Sequence, residues 1–261
     1  MYTAESPAVP VADAAAPDGT TSTDDGGGGS SGDTDTRRFC ERLDPKPTFC
    51  RDFDDAAPLY FGFDRHNATM GATAAFDQTS VASSPSSFLL SLPAGPLTNL
   101  GAGYVAQATN EIDFDFNPKS IHFAYDLRVD DPADLLRTGE VCMLLSAGSW
   151  CVWLSISAND SRLIEQEPAE GGGSDFNQHD LGLPFPMGKW TRVVLDIVFD
   201  DGDRRLDLTF DGYDTKPGGT AFNVRPIAHP SFGLNATLYG NAGASIPAIK
   251  VRYDNVVIDL K

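Results

Sequence analysis

The chain has 261 residues and a net charge of −18, with 19 basic side chains against 37 acidic ones. A polyanion of this kind repels nucleic-acid phosphates and anionic lipid surfaces, so the composition argues against nucleic acid as a partner. The sequence also lacks a run of about 20 apolar residues, so we expect no transmembrane span. Neutral sugars, cations and other proteins stay open as partners.

The first segment, residues 1–36, consists mainly of Ala, Pro, Asp, Gly, Ser and Thr and ends in "DDGGGGSSGDTDT". It has almost no apolar mass to bury, which predicts a disordered acidic tether. Such a tether often separates an exported domain from an anchor. The start shows no basic region followed by an apolar run, so a signal peptide is not visible. The lipid-anchored cysteine of a lipoprotein would lie upstream of Met1.

Four cysteines form two local pairs, Cys40 with Cys50 and Cys142 with Cys151. Apolar runs flank "SAGS" between the second pair, which predicts a hairpin that puts Cys142 opposite Cys151. Opposed strand residues lie about 4.5–5.5 Å apart at Cα, a span that a disulfide can bridge. The spacings do not match the short ligand pairs of zinc sites. We therefore predict two disulfides and an oxidising, extracytoplasmic compartment, secreted or at the cell surface.

After residue 36 the composition changes, and runs of β-branched and aromatic residues recur, separated by Gly, Pro, Asn and Asp. Many short strands with turn signals predict one all-β domain over residues 37–261, a two-sheet antiparallel β-sandwich. The predicted strands are Ser87–Leu92, Gly103–Ala108, Glu111–Phe116, Ser120–Val129, Glu140–Ser146, Trp150–Ala158, Leu163–Glu167, Trp190–Phe199, Arg205–Phe210, Ser231–Tyr239 and Ile249–Leu260.

The stretch "NEIDFDF" raises the question of catalysis. Its acidic and apolar side chains alternate, with Glu111, Asp113 and Asp115 set against Ile112, Phe114 and Phe116. In a strand the three carboxylates line one face and the apolar groups line the other. Paired carboxylates on one face are the catalytic groups of most glycosidases. The simpler interpretation is a half-buried strand whose acidic face meets water.

The C-terminal half resembles a known superfamily. "GKWTRVVLDIVFDDGDRRLDLTFDGY" carries Gly188, Trp190, Asp211 and Gly212, and the chain ends in "IKVRYDNVVIDLK". These features resemble the laminin-G-like branch of the concanavalin A-like lectin/glucanase superfamily. "FCERLDPKPTFCRDFDD" is also similar to the first segment of exported bacterial proteins with such a domain. The resemblance implies a two-sheet jelly roll with one concave face, whose members bind sugars, bind proteins or cleave polysaccharides.

Laminarinase-type glycoside hydrolases of this superfamily carry Glu-x-Asp-x-Glu on one strand. Glu111 and Asp113 match the nucleophile and the assisting Asp, whereas Asp115 is one methylene shorter than the final Glu. In those hydrolases a Trp-rich strand precedes the motif, but here "SWCVWL" follows it. We therefore favour the simpler interpretation and keep catalysis by Glu111, Asp113 and Asp115 as the alternative.

A jelly-roll polysaccharide lyase would use a His and a Tyr as base and acid. "SIHFAY" offers His122 and Tyr125, but residues three apart on a strand face opposite ways. The sequence therefore argues against a lyase at this strand.

The resemblance also implies a structural Ca²⁺ between the first loop of the domain, after residue 36, and the last strand. "RDFDD" supplies Asp52, Asp54 and Asp55, and the last strand supplies Asp254. Carboxylate oxygens are hard ligands that suit Ca²⁺. Asp54 and Asp254 are its candidate ligands, but we favour the simpler interpretation that these are solvated surface acids.

Exposed aromatic rings would mark a sugar site. Trp150 and Trp153 lie on opposite faces of one predicted strand, and we place Trp150 inward. Trp153 is then the better candidate for a ligand contact, with Tyr104 and Tyr125 as secondary candidates. A packing role is the favoured interpretation for each single ring.

Together these features predict an exported binding domain whose leading ligand is a polysaccharide or glycan. The prediction of function depends on fold analogy, which by itself does not specify a ligand. The alternatives are a glycoside hydrolase and a structural or adhesive protein that binds another surface protein.

Overall fold

The computed structural model describes residues 37–96, 104–130, 135–145, 148–157, 159–169, 173–200, 203–210, 213–215, 228–239 and 245–261. The predicted tether, residues 1–36, lies outside the described residues. The described elements are one helix, α1 (Phe39–Arg42), and the strands β1 (Phe49–Arg51), β2 (Arg65–Thr69), β3 (Thr73–Asp77), β4 (Ser87–Leu92), β5 (Gly95–Pro96), β6 (Tyr104–Asp113), β7 (Ser120–Val129), β8 (Leu135–Leu145), β9 (Gly148–Ile156), β10 (Ser161–Pro168), β11 (Ser174–Asp180), β12 (Thr191–Asp200), β13 (Asp203–Phe210), β14 (Tyr213–Thr215), β15 (Ala228–Gly233), β16 (Ala236–Tyr239), β17 (Ser245–Ile246) and β18 (Ile249–Leu260).

Sixteen of the described strands form two antiparallel sheets, as the sequence predicts, and β5 and β17 pair with each other in a separate two-stranded sheet. The first sheet has the order β14-β13-β12-β7-β18-β4-β3, and β1 pairs with one end of β18. The second sheet has the order β11-β10-β9-β8-β15-β6-β16, and β2 pairs with β6. Strands β15 and β16 follow each other along the chain and fill successive parts of the space between β6 and β8.

Alternating side chains bury the inner face of each sheet. In β12, Val193, Leu195 and Ile197 are buried, whereas Arg192 and Asp196 face outward. This period of two is the pattern of a strand with one face on the core. A single cluster of buried apolar residues from both sheets fills the space between them.

The core also contains a buried acid. Trp150 is fully buried, as predicted, and its Nε1 donates a 2.5 Å hydrogen bond to Glu165 Oε1. Glu165 is itself fully buried and accepts a second bond from Asn177 Nδ2 at 3.1 Å. The hydrogen bonds compensate the desolvation that would make a lone carboxylate costly at this place.

Both predicted disulfides are present. Cys40 and Cys50 are bonded with Cα atoms 5.8 Å apart, and Cys142 and Cys151 are bonded with Cα atoms 4.1 Å apart. Cys142 and Cys151 are direct partners in the β8–β9 hairpin, as the turn position predicts. Disulfides of this kind persist in oxidising compartments. In the described part of the chain, no helix is both long and apolar enough to cross a membrane.

Several predicted strands have other bounds in the structure. The segments Gly103–Ala108 and Glu111–Phe116 join into the single strand β6, which ends at Asp113. The predicted strand Ser231–Tyr239 is broken into β15 and β16 around Asn235. Ser146 of the predicted hairpin turn and the motif residues Asp211 and Gly212 lie outside the described residues.

Candidate functional site

The outer face of the second sheet, which is turned away from the core, carries a row of aligned side chains. Residues next to the row in sequence, such as Ile112, Val141 and Phe232, are buried in the core, so the row itself points outward. Register pairing joins the members across seven strands from β2 to β11. We call this set the central row: Arg65, Glu111, Gly233, Glu140, Trp153, Ile164 and Gln178.

A parallel row lies one step along the strands. It contains Asp113, Ser231, Cys142, Cys151, Gln166 and Phe176. Glu111 and Asp113 of β6 therefore lie on the same outer face of the second sheet as Trp153 of β9, as the alternation in the sequence predicts. The disulfide Cys142–Cys151 lies between the two acidic residues and the end of β10.

A bulge in β8 gives Glu140 its outward direction. Arg137 pairs with Ser155 and Glu140 pairs with Trp153, so Gly139 is one residue extra in β8. The extra residue reverses the alternation, and Arg137 and Glu140 face the same side although they are three apart. Gly139 has φ = 50°, and a Cβ there would collide with the hydroxyl of Tyr125. Glycine is required at this bulge by both conformation and space.

The strand pairing is interrupted between β15 and β16, and there the Asn235 side chain forms the floor of the space between Glu111 and Glu140. Asn235 Oδ1 accepts a bond from the backbone N–H of Asn110 in β6 at 3.1 Å, and Asn235 Nδ2 donates to Glu140 Oε2 at 2.8 Å. The amide therefore crosses from β6 to β8 where β15 ends. A Cβ at Gly233 would collide with this amide, so Gly233 leaves the space that Asn235 occupies.

The hydroxyl of Tyr253 holds both irregularities from the core side. It donates to the carbonyl of Asn235 at 2.6 Å and accepts from the N–H of Gly139 at 3.1 Å. Burial raises the pKa of Tyr253, so the hydroxyl keeps its proton. The bulge and the break are thus two ends of one hydrogen-bonded unit beneath Glu140.

Two arginines form ion pairs with the three carboxylates on this face, Glu111, Asp113 and Glu140. Arg65 Nη2 lies 2.8 Å from Glu111 Oε2 and 2.8 Å from Asp113 Oδ1. The hydrogen bond with Asp113 raises the pKa of the Arg65 guanidinium. Arg137 pairs with Glu140 in the same way on the other side of Gly233. Between the two carboxylates lies a cavity of about 210 Å³, lined by Arg65, Glu111, Glu140, Asn235, Ser231 and the disulfide.

Trp153 is placed on the predicted face but is covered. Only 5% of it is exposed, because the Arg137 guanidinium lies 3.7 Å from its ring centroid and Phe176 packs edge-on against it. Cys142, Cys151 and Ile164 complete a small apolar cluster around it. Phe176, which is 54% exposed, is the accessible ring of this cluster. A ligand reaches Trp153 only if Arg137 moves.

Asp115 and Phe116 do not take the predicted positions. Because β6 ends at Asp113, Asp115 lies beyond the strand, with its side chain 93% exposed and 2.7 Å from His229 Nδ1. Phe116 is 41% exposed rather than buried in the core, although Phe114 packs edge-on against Phe232 as predicted for an inward ring. The set of three aligned carboxylates is therefore reduced to Glu111 and Asp113.

The two predicted tyrosines behave differently. Tyr125 is 2% exposed and packs between Phe123 and Tyr253 in the core, and burial raises the pKa of its hydroxyl. The prediction that Tyr125 contacts a ligand is wrong for this structure, because strand alternation turns it inward. The backbone of Tyr104 pairs with Tyr239 in the second sheet, and its side chain lies outside the described residues.

His122 lies on the outer face of the first sheet, on the opposite side of its strand from Tyr125. Its Nδ1 is 2.7 Å from Asp196 Oδ1, and it is aligned with Asp207 and Asp259 on neighbouring strands. These side chains line a second cavity of about 510 Å³. His122 and Tyr125 therefore do not form an acid–base pair, as expected from their spacing.

The predicted calcium ligands Asp54 and Asp254 meet around one hydroxyl. Ser83 Oγ lies 2.9 Å from Asp54 Oδ2, 3.3 Å from Asp254 Oδ1 and 2.9 Å from Asn255 Oδ1. Burial raises the pKa of Asp254 to about 7, and the charge of Asp54 acts in the same direction, while backbone N–H groups partly offset both. A cluster of hard oxygen atoms fits Ca²⁺ in chemistry. The calcium site stays a prediction.

One other group of potential metal ligands lies in the described part of the chain. Glu140, Cys142 and Cys151 bring their ligand atoms within 4.8 Å of one another. Both cysteines are oxidised in the disulfide, so neither offers the thiolate that a metal would need. This group holds no metal in the oxidised protein.

Sequence reasoning missed Arg65, Arg137, Glu140 and Asn235. The sequence pattern places Glu140 only at the start of a strand and gives the other three no role. The signal that could have found them is glycine: Gly139 and Gly233 interrupt apolar strand patterns, and such glycines mark bulges or close backbone approaches.

No protein-family model matches the chain, and no curated protein matches it in sequence. Among solved structures, it is similar to an endo-β-1,4-glucuronan lyase from the fungus Trichoderma reesei, with a TM-score of 0.59 and 14% identity over 82% of this chain and 96% of the lyase. It is also similar to a glycoside hydrolase family 16 endo-glucanase from Bacteroides ovatus, with a TM-score of 0.53 and 9% identity over 80% of this chain and 99% of the glucanase. At these identities the similarity shows the fold alone. The described chain is an all-β, two-sheet antiparallel sandwich with the concanavalin A-like jelly-roll fold.

Proposed function

We propose that residues 37–261 form an exported, non-catalytic carbohydrate-binding domain of the laminin-G-like kind, and that it binds a polysaccharide on the outer face of its second sheet. The central row carries this proposal. Its seven members are in register over about 29 Å at the usual strand spacing, and four of them, Arg65, Glu111, Glu140 and Gln178, carry a charge or an amide. These polar groups suit the hydroxyl groups of an extended sugar chain. The two disulfides support export.

The ion pairs favour binding over cleavage. A glycosidase needs one carboxyl group that carries a proton when the substrate arrives. Glu111 and Asp113 share the Arg65 guanidinium, and Glu140 pairs with Arg137. A carboxyl group held in an ion pair serves as a hydrogen-bond acceptor for sugar hydroxyls rather than as a proton donor.

One observation favours a glycoside hydrolase as the second candidate. Glu111 and Glu140 flank Gly233, so their Cα atoms are two strand spacings apart, about 10 Å. Inverting glycosidases hold their two carboxyl groups about 6.5–9.5 Å apart, with room for a water molecule. In this candidate Glu140 takes the place predicted for Asp115.

A structural or adhesive role is the third candidate. The edge strand β11 is mostly exposed and carries Phe176, whose ring is 54% exposed. An exposed strand edge can pair with another protein chain. This candidate predicts binding to a protein and indifference to sugars.

The test is binding to a panel of purified polysaccharides by calorimetry, with product analysis after long incubation. We expect binding without new reducing ends, and Glu140→Gln should weaken binding at least tenfold. Asp196→Asn, which removes a carboxylate from the outer face of the first sheet, is the matched control and should bind as the unchanged protein does. Cleavage that Glu111→Gln abolishes would establish the hydrolase instead. Failure to bind any member of the panel would contradict the proposal.

A further inference from the structure

The cavity between Glu111 and Glu140 has the geometry of a subsite for one sugar ring. Gly233, which has no side chain, lies between the two glutamates, and the Asn235 amide forms the floor. The cavity of about 210 Å³ is thus bounded on two sides by carboxylates and below by an amide. The following inference rests on the proposed function, because it assigns a sugar class to this place.

The positive charges next to the cavity are already engaged. Arg65 contacts two carboxylates at 2.8 Å, and Arg137 contacts Glu140 while its guanidinium stacks on Trp153. A uronate carboxylate would have to replace Glu111 or Asp113 at Arg65. It would then lie close to the displaced carboxylate and to Glu140, which is unfavourable between like charges.

Hydrogen-bond acceptors, in contrast, are plentiful next to the cavity. An ionised carboxylate accepts about four hydrogen bonds, and Glu140 uses its two oxygens for Arg137 and Asn235 with room for further donors. Hydrogen bonds to charged acceptors are stronger than those between neutral groups. Each hydroxyl of a neutral sugar can supply such a donor without adding charge. The side chains Arg65, Arg137, Glu111, Asp113 and Glu140 together leave a net charge of about −1, which offers an incoming anion no compensation.

We infer that this cavity selects a neutral sugar unit of a polysaccharide, through hydroxyl groups that donate to Glu111 and Glu140, and that it rejects uronates. Glu140 and Asn235 are the positioning and specificity-determining residues: the Gly139 bulge turns Glu140 outward, and Asn235 holds its carboxylate. This selection differs from the substrate, glucuronan, that the name of the similar lyase gives.

Two probes test the inference: a neutral β-glucan and a polyglucuronate, compared by calorimetry at one ionic strength. The unchanged protein should bind the neutral glucan at least tenfold more tightly than the polyglucuronate. The double variant Glu111→Gln/Asp113→Asn frees Arg65, so it should lose affinity for the glucan and gain affinity for polyglucuronate. Glu140→Gln, measured well below its melting temperature, should lose glucan affinity, and Asp196→Asn should change neither preference.

The outcomes separate the two proposals. Tighter binding of polyglucuronate than of the neutral glucan by the unchanged protein would overturn the selection of neutral sugars and leave carbohydrate binding intact. Glucan binding that neither Glu111→Gln nor Glu140→Gln weakens would place the sugar elsewhere on the domain and overturn this subsite. Absence of binding to both probes and to the wider panel would contradict the proposed function itself.

Discussion

At Gly139 the backbone of β8 passes over the hydroxyl of Tyr125, and the residue has φ = 50°. Gly139→Ala introduces a Cβ that collides with that hydroxyl in a backbone conformation that L-residues rarely adopt. We expect the variant to lower the free energy of unfolding by about 3 kcal/mol or more, measured by urea denaturation.

Gly182→Ala is the matched control, because Gly182 has φ = 73° and no atom lies within 4 Å of the place that a Cβ would take. This substitution carries the conformational cost without the collision, so we expect a loss of about 1 kcal/mol. Equal losses at the two glycines would contradict the close approach of Tyr125 to β8.

Asp77 and Arg252 form a buried ion pair with a predictable pH dependence. Burial alone would raise the pKa of Asp77, but hydrogen bonds from Thr79 and Arg252 more than offset it and lower the pKa to about 2. The pKa of an Asp in the unfolded chain is about 3.9. Between the two pKa values the unfolded chain therefore binds more protons than the folded chain does. We expect stability to be lost as the pH falls from about 4 to about 2, by about 2 kcal/mol.

Urea unfolding between pH 2 and pH 7 checks this expectation. Asp77→Asn should remove this part of the pH dependence. Asp180→Asn should keep it, because the Asp180 side chain is 75% exposed and pairs with Arg162 at the surface. The same acid-side slope in both variants would show that another group is responsible.

The disulfide of the β8–β9 hairpin stabilises the fold and also lines the cavity of the candidate site. Replacing both Cys142 and Cys151 by Ala opens a short loop and should cost about 2.5 kcal/mol on the loop-entropy model. Replacing Cys40 and Cys50 should cost a similar amount, since the sequence separations are 10 and 9. Only the first replacement should change polysaccharide affinity, because Cys142 and Cys151 line the cavity. Affinity that both double variants change equally would separate the disulfide from the site.

Local alternation predicted the elements that lie flat in a sheet. The strands Ser87–Leu92, Ser120–Val129 and Ile249–Leu260 have the predicted bounds, since their apolar residues recur with period two or fill a central strand. The opposition of Cys142 and Cys151 followed from the hairpin turn alone. The outward faces of Glu111 and Asp113 followed from the same alternation.

The candidate site depends on irregularities that alternation cannot reveal. The bulge at Gly139 reverses the direction of Glu140, and the break at Asn235 lets a side chain replace strand pairing. Arg65 comes from β2, whose five residues are all exposed and show no apolar pattern. Its place beside Glu111 depends on pairing across 46 residues, which local sequence does not encode.

At the scale of the whole domain, the loop that contains Asp54 is tied to the last strand, β18, by the cluster of Asp54, Ser83 and Asp254. If Ca²⁺ binds there, it stabilises the folded state by mass action, since the unfolded chain lacks the site. We expect a chelator to lower the melting temperature by several degrees and added Ca²⁺ to restore it.

Asp54→Asn and Asp254→Asn test the same expectation at the ligands. Each variant should respond less to chelation than the unchanged protein, and Asp207→Asn, a surface acid of the first sheet, should respond fully. An unchanged melting temperature on chelation would count against the site.

The position of β18 in the first sheet determines when that sheet can form. Residues 249–260 lie between β7 and β4, whose chain positions are more than 100 residues earlier. Neither neighbour has its main partner until this stretch has left the ribosome, or has crossed the membrane if the chain is exported. The sheet therefore closes only after residues 249–260 are available, through pairings distant in sequence, and such pairings fold slowly. Until then β4 and β7 have unpaired edges, and a chaperone that covers them would raise the yield of folded protein.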